Sequence, residues 1–492
     1  MSIDQGTTGT TVLLVDQAGE VVGRGYREVR CDYPRPGWVE QDAEELWRRS
    51  LEAIAGARQS VRDRPIVAIG ITNQRETTVL WDARTGEPVA PAIVWQCRRT
   101  AGMCEELRQR GLANEVGART GLVIDPYFSG TKLRWLLESQ PELRRRALRG
   151  ELRFGTIDSW LIWKLSGGQV HRTDYSNASR TLLYDIYDKS WDPFLLDLFG
   201  VPPEILPEVA ASATIHCETV SLPLPDRTEL PGGIPVAAIA GDQQAALFGQ
   251  ACYEPGMVKA TYGTGAFLLM NCGVEPVRSR TGLLTTLACG TRGEPIYAIE
   301  GSIFVAGAAI QWLRDQLGIV DNAAESEALA RQVPDSAGVY FVPAFVGLGA
   351  PYWDADARGA LVGLTRGVGR SHIARAALEA IAYQTRDVVE AMTREVGRPA
   401  AELRIDGGAA ANNFLAEFLA NLLGAPVVRP RVTETTALGA AFLAGLATGF
   451  WASAVELARL WQVDRRFEPT TDGEDRDAQY AGWQKAVERV RR

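Results

Sequence analysis

An α/β protein of two large domains with a cleft between them is the architecture this sequence predicts, and three features predict it. The chain is 492 residues long, beyond the size at which a single hydrophobic core stops growing, so at least two domains are expected. The run Ile234-Pro235-Val236-Ala237-Ala238-Ile239-Ala240-Gly241 reads as a strand covered on both faces, and it turns at Asp242 straight into the helix-forming run from Gln243 to Phe248. A strand, a Gly/Thr turn and a returning strand occur twice, through Gly6-Thr7-Thr8 and through Gly263-Thr264-Gly265. That internal echo points to two similar halves, each presenting a Gly/Thr nest to a cleft in which a polyphosphate would be held from both sides.

Composition removes several function classes. A net charge of -8 argues against a general nucleic-acid binder, which needs a surplus of Lys and Arg. The cysteines (Cys31, Cys97, Cys104, Cys217, Cys252, Cys272, Cys289) are scattered without a Cys-x-x-Cys pair, which fits a reducing cytoplasm. His171, His216 and His372 lie far apart in sequence, which speaks against a zinc site or a Ser-His-Asp triad. No apolar stretch has the length of a membrane span, and the start has no charged-then-apolar signal pattern, so a cytoplasmic protein without a membrane span is expected.

In chain order, a β-meander opens the sequence, with strands Thr10 to Val15 and Glu20 to Val29 about the turn Asp16-Gln17-Ala18-Gly19. Its first strand is short, since only Met1, Ser2 and Ile3 precede Asp4-Gln5-Gly6-Thr7-Thr8, and a start further upstream is expected. Gly6 allows close backbone approach, and successive N–H groups with two hydroxyls form an anion nest, beside which Asp4 is a candidate metal ligand. A plain hairpin turn is the alternative. Asp42 to Arg62 has helical periodicity, and Ile66 to Ile71 reads as a strand ending in Thr72-Asn73-Gln74-Arg75-Glu76. Arg75 beside Glu76 offers a donor fork and an acceptor that suit a polyol with adjacent hydroxyls, with a surface ion pair as the plainer reading. Trp95, closing an apolar run, serves equally as a pocket wall or a core residue.

Helices are expected over Thr100 to Arg110 and Gly130 to Leu137, with a further apolar segment from Thr156 to Leu165. The segment His171 to Arg180 is too polar for a core, and Ser212 to Gly233 reads as a Pro-rich surface excursion. Beyond the second Gly/Thr turn, Gly301 to Gly307 leads into a helix from Ala308, and Leu403 to Asp406 enters the turn Gly407-Gly408 before Asn412 and a helix to Leu423. Such turns permit flat contact with a nucleotide beside helix N-termini, or simply close packing of helix on strand. Thr436 to Leu446 is a small-residue helix, and Ala478 to Arg492 an amphipathic one. No P-loop and no Gly-x-Gly-x-x-Gly motif occurs. For Asp242, ligands of open sheets bind beyond the carboxyl ends of strands, yet Asp is also a favoured N-cap; both readings stand on these residues alone.

Two stretches carry a resemblance: Tyr127-Phe128-Ser129-Gly130-Thr131-Lys132-Leu133-Arg134-Trp135, and Gly359-Ala360-Leu361-Val362-Gly363-Leu364 continuing to His372-Ile373 and Ala376-Ala377-Leu378-Glu379. They resemble the FGGY family of carbohydrate kinases, essentially end to end. Gly70 to Thr78, Trp95 to Thr100, Asp125-Pro126-Tyr127 and Gly241 to Gln250 are similar to the members that phosphorylate glycerol. The resemblance implies an actin-like ATPase fold, two ribonuclease-H-like domains with a nucleotide cleft between them. It assigns 1–248 to an N-terminal domain with the glycerol site and first phosphate loop, and 249–492 to a nucleotide-binding C-terminal domain. It implies ATP-dependent formation of sn-glycerol 3-phosphate for glycerol catabolism, with Mg2+, in a homodimer or homotetramer. Arg75, Glu76, Trp95, Tyr127, Asp242 and Gln243 would hold glycerol. Thr7, Thr8, Thr264, Gly307, Gln311, Gly408 and Asn412 would meet ATP, Asp4 and Asp242 would lie near the metal, and Asp242 would be the general base.

Three departures from that pattern stand out. Gly9-Thr10-Thr11 replaces the usual continuation through Ser to an Arg near the phosphates, so phosphate affinity is expected to differ. Pro231-Gly232-Gly233-Ile234 lacks the Arg of a fructose-1,6-bisphosphate loop, and His216 aligns with no regulatory phosphohistidine, so neither control is implied. Rival readings are a kinase of the same family acting on a pentulose, and an actin-like ATPase working as a chaperone or filament. The Arg75-Glu76 pair and the run Trp95-Gln96-Cys97-Arg98-Arg99 disfavour the first.

Overall fold

The computed structural model describes residues 1–470 and 473–491. Two mixed sheets organise it. The first contains β1 (Ser2–Gln5), β2 (Gly9–Val15), β3 (Val21–Glu28), β4 (Ile69–Asn73), β5 (Ala213–Glu218) and β6 (Pro235–Gly241), in spatial order β5-β6-β4-β1-β2-β3. The second contains β7 (Val258–Tyr262), β8 (Ala266–Gly273), β9 (Leu284–Cys289), β10 (Pro295–Ile303), β11 (Leu403–Asp406), β12 (Val427–Pro430) and β13 (Val463–Phe467), in order β9-β10-β8-β7-β11-β12-β13.

The echo in the sequence is a duplication of topology. β1 pairs antiparallel with β2 and parallel with β4, which pairs parallel with β6. β7 repeats this with β8, β11 and β12. The apolar run before Asp242 becomes β6, and all but its first residue are buried, as expected of a parallel strand covered on both faces. Short as it is, β1 is paired along its whole length, Asp4 lying opposite Thr11 on one side and Thr72 on the other.

Helices follow their local signals. Asp42 caps α1 (Ala43–Arg58), its carboxylate accepting from Glu44 N at 2.9 Å. α2 (Asp242–Gly249) follows β6 directly, α3 (Gly307–Asp315) follows β10 by a short turn, and α4 (Arg370–Val396) is the longest. α5 (Asn413–Leu423) is capped by Asn412, whose Oδ1 accepts from Leu415 N at 3.0 Å. α6 (Thr435–Ala447) is the expected small-residue helix, and α7 (Gly473–Glu488) begins earlier than the predicted Ala478; Arg492 lies outside the described residues.

α2 and α6 bind the halves together. A Cβ on Gly439 would lie 1.9 Å from Ala245 O, and one on Gly249 would lie 2.0 Å from Thr435 O, so the two backbones touch where the helices cross. Each helix then reaches the other half. Leu247 of α2 packs with Leu269, Ala288, Ile296 and Ala298 of the second sheet, and Ala440 of α6 lies so close to β4 that a Cβ on Gly70 would be 2.1 Å from its carbonyl oxygen.

Three expectations are corrected. The strand expected over Ile66 to Ile71 runs from Ile69 to Asn73, because Thr72 and Asn73 continue the parallel register with Asp4 and Gln5. Ser212 to Gly233 is not wholly irregular: β5 covers the edge of β6, and Leu222–Pro223 and Glu229–Leu230 form a hairpin. The segment His171 to Arg180 is largely interior, with Asp174, Ser176, Asn177 and Arg180 buried. Most of its polar groups find partners inside the protein: Asp174 accepts from Ser176, Asn177 and Ser212, and Asn177 exchanges hydrogen bonds with Asn73.

Candidate active site

Asp242 is the first residue of α2, with Gly241 in the capping position. Its Oδ1 accepts from Gln243 N at 2.7 Å and forms an ion pair with Arg75 Nε at 3.1 Å, while Oδ2 receives no hydrogen bond among the described residues. The helix-cap reading of Asp242 is thereby corrected: Gly241 holds the cap position, because β6 runs straight into α2, and no side chain caps this end. The side chain is 28% exposed, whereas Glu76 and Glu300 beside it are buried. Behind it, Gly241 N donates to Ser176 Oγ at 2.8 Å, and Ser176 donates to Asp174, so the buried polar segment fixes the tip of β6.

Arg75 and Glu76 follow β4 and are buried at 2% and 1% exposure. Glu76 adopts a left-handed backbone, φ 62°, a strain that commonly accompanies functional positions. The Arg75 guanidinium forks onto Glu300, at 2.5 Å to Oε2 and 3.1 Å to Oε1, and its Nη1 lies 3.3 Å from Gln244 Oε1. Arg180 joins the same network, donating from Nε to Glu76 Oε1 at 2.7 Å and from Nη2 to Glu300 Oε1 at 2.9 Å. Burial pushes the Glu76 carboxyl up, against the pull of Arg75 and Arg180. A surface ion pair, the plainer reading of Arg75-Glu76, is excluded.

An aromatic wall adjoins these charges. Trp95 meets Tyr127 edge to face at 5.4 Å between ring centres and Phe267 of β8 at 6.2 Å. Trp95 Nε1 donates to Thr7 Oγ1 at 2.8 Å, which ties this wall to the first Gly/Thr turn. Burial raises the Tyr127 hydroxyl well above its ordinary range, so it remains a neutral donor. Gln243, buried beside Asp242, accepts from Lys259 Nζ. Asp4 is partly buried, and desolvation followed by the charge of Asp242 raises its carboxyl to about 7.

The second set of predicted residues lines the other half. Thr264 and Gly307 are joined through the backbone, Ala306 N and Ala308 N donating to Thr264 O and Gly307 N to Gly263 O. The amino end of α3 thus sits on the second Gly/Thr turn, with Gln311 exposed on the helix. Gly407, φ 83°, is pressed on Tyr262, whose carbonyl oxygen would be 2.4 Å from an added Cβ, whereas Gly408 faces open space. Asn412 spends its side-chain oxygen on capping α5. Thr8 is exposed at the tip of the first turn.

Arg180, Glu300, Phe267 and Lys259 were not singled out by the sequence reading. Glu300, a lone acid within Ile296-Tyr297-Ala298-Ile299, carried a usable signal, because a charge in such a strand needs a partner. Arg180 lay in a segment read as too polar to be buried. Phe267 and Lys259 look like ordinary strand residues.

Known proteins resemble this arrangement over the whole chain. Residues 1–249 match the N-terminal domain of the FGGY family of carbohydrate kinases, and 258–448 match its C-terminal domain. Glycerol kinase of Symbiobacterium thermophilum is 58% identical over 100% of this chain and 98% of its own length. Glycerol kinase 2 of Thermotoga maritima is 55% identical over 99% and 98%. Among solved structures, Plasmodium falciparum glycerol kinase with ADP superposes with a TM-score of 0.93 at 36% identity, covering 99% of this chain and 97% of that one. Xylulose kinase of Lactobacillus acidophilus, at 22% identity and a TM-score of 0.86 over 100% and 97%, shares the fold. With both halves matched and the duplicated sheets in place, the chain belongs to the FGGY family of carbohydrate kinases.

Proposed function

We propose that this chain transfers the γ-phosphoryl group of ATP to glycerol, giving sn-glycerol 3-phosphate and ADP. The observation that carries the reading is the end-to-end identity of 55% and 58% with curated glycerol kinases. The convergence of Arg75, Glu76, Asp242 and the Trp95–Tyr127 wall supports it, because a small triol needs several fixed donors and acceptors around one reactive hydroxyl.

In this reading glycerol lies against Trp95 and Tyr127, with Arg75, Glu76 and Gln243 orienting its hydroxyls. Asp242 Oδ2, which receives no hydrogen bond among the described residues, takes the proton of one terminal hydroxyl as its oxygen attacks the γ-phosphorus in line. The bond from phosphorus to the β–γ bridging oxygen breaks, and ADP leaves with that electron pair. Thr7 and Thr8 in one turn and Thr264 in the other would offer N–H groups and hydroxyls to the phosphates, with Gly307, whose own N–H is held by Gly263 O, bordering them at the amino end of α3. Gln311, Gly408 and Asn412 would border the rest of the nucleotide. Asp4 and Asp242 fit Mg2+: both are hard oxygen donors, and their mutual repulsion, which contributes to the raised Asp4, is what a cation between them would relieve. Bound there with ATP, the ion would neutralise charge on the β- and γ-phosphates.

The boundary is placed at 248/249, between an acceptor-binding domain over 1–248 and a nucleotide-binding one over 249–492. A cytoplasmic homodimer or homotetramer is the assembly proposed. No helix among the described residues is long and apolar enough to cross a membrane, and all seven cysteines are free. A coupled ADP-release assay with and without glycerol tests the function. Turnover that requires glycerol supports it, whereas turnover that ignores glycerol and rises with xylulose assigns a different acceptor.

A further inference from the structure

We infer that Glu300, in the sheet of the second half, is a positioning residue for the acceptor site, fixing Arg75 against Asp242 and Arg180 against Glu76. This rests on the acceptor reading given above. Glu300 is fully buried in β10, where an unpaired carboxylate would be untenable. Burial works against its charge, yet Arg180 and Arg75 together hold its carboxyl down at about 2.

The geometry explains what that charge does. Both terminal nitrogens of Arg75 are engaged on Glu300, a fork that fixes the guanidinium plane. The remaining Nε edge then meets Asp242 Oδ1 at 3.1 Å as an ion pair, which anchors one oxygen of a side chain that is 28% exposed. Arg180 is set in the same way, one nitrogen on Glu300 Oε1 at 2.9 Å and Nε on Glu76 Oε1 at 2.7 Å. Arg75, Glu76, Arg180 and Asp242 all precede residue 249, whereas Glu300 belongs to the strand that continues through Ile303 to Gly307. One strand therefore carries the counter-charge of the acceptor site and leads on to Gly307, at the amino end of α3 beside the second Gly/Thr turn. The acceptor site is incomplete without the second half.

The test is Glu300→Gln, which keeps the shape and removes the charge. The glycerol KM is expected to rise about tenfold or more while the ATP KM stays within about twofold, the split that lost acceptor positioning produces. A crystal structure of the variant should show the Arg75 Nε–Asp242 Oδ1 ion pair, 3.1 Å in the parent, broken. The inference is overturned if both KM values stay within about twofold of the parent. Parallel rises in the two KM values, which mark general loosening, overturn it too, as does an Arg75 still seated on Asp242. Should the Gln variant fail to fold, Glu300→Asp, which keeps the charge but shortens its reach, is read by the same criteria. If the parent shows no glycerol-dependent ADP release, the functional reading falls by itself, and the position of Arg75 in the variant structure decides the role of Glu300.

Discussion

Lys259 Nζ donates to the side-chain oxygen of Gln243, so a lysine on the first strand of the second sheet orients the residue next to Asp242 in the first half. Its other bonds go to Thr261 Oγ1 at 2.9 Å and Phe267 O at 3.4 Å, all inside the protein. Burial lowers the ammonium from 10.5 to about 8, opposed by Asp406 and Asp242.

Replacing it by methionine, Lys259→Met, keeps the volume and releases Gln243. The glycerol KM should rise about tenfold with the ATP KM unchanged, measured by coupled ADP release. Stability carries a second signature. The folded pKa lies below the unfolded one, so between about 8 and 10.5 the unfolded state holds more protons and this group makes stability rise with pH. Below that window its cost is fully present. Urea unfolding at pH 8 and pH 10 should show that the parent gains more stability over this interval than the Met variant.

Asp242→Asn keeps an oxygen for Gln243 N and for Arg75 but removes the proton acceptor. We expect kcat to fall by about two orders of magnitude or more, with thermal unfolding nearly unchanged because the side chain is partly exposed. Near-normal turnover would show that another group takes the proton.

Asp4 gives a prediction of opposite sign from Lys259. Its carboxyl is raised from 3.8 to about 7, by desolvation and then by Asp242, so the native state holds the proton longer than the unfolded one. Its contribution is most favourable below about 3.8 and is lost as pH rises through about 7. Asp4→Asn should therefore have the higher melting temperature at pH 8, by about 1–2 °C, on the order expected for a change of about 1 kcal/mol in a chain of this size. With ATP present, added Mg2+ should raise the melting temperature of the parent and have a weaker effect on the variant.

Gly407 and Gly408 are neighbours with different duties. Gly407→Ala forces a side chain at φ 83° into Tyr262 O and should destabilise the fold by about 2 kcal/mol or more in urea unfolding. A Cβ on Gly408 would meet nothing in the protein within 4 Å, so the unfolding midpoint of Gly408→Ala should hold while the ATP KM rises about tenfold. A normal ATP KM in that variant would remove Gly408 from the nucleotide site.

The duplicated sheets and the strand before Asp242 were legible because they are local: a period, a turn residue, a strand that ends in an acid. The acceptor residues were reached through motifs within single stretches, Arg75-Glu76, Trp95 and Asp242-Gln243. Their partners were not. Arg75 and Glu300 are separated by 225 residues, and nothing in either neighbourhood announces the other. The segment from His171 to Arg180 was misread for a related reason: polarity predicts contact with water, but Asp174, Asn177 and Arg180 find their partners inside the protein. Mutual satisfaction of buried polar groups is a property of the assembled fold and has no periodicity.

The repeated turn has one more consequence. Thr7 follows Gly6 after the first strand of one sheet, as Thr264 follows Gly263 after the first strand of the other. The two are not equally free: the Thr7 hydroxyl is tied to Trp95, while among the described residues the Thr264 hydroxyl has no hydrogen-bond partner and its carbonyl is engaged. The molecule carries its own control experiment. The same substitution made at Thr7 and at Thr264 compares one turn wired to the aromatic wall with an otherwise similar turn that is not, within a single polypeptide.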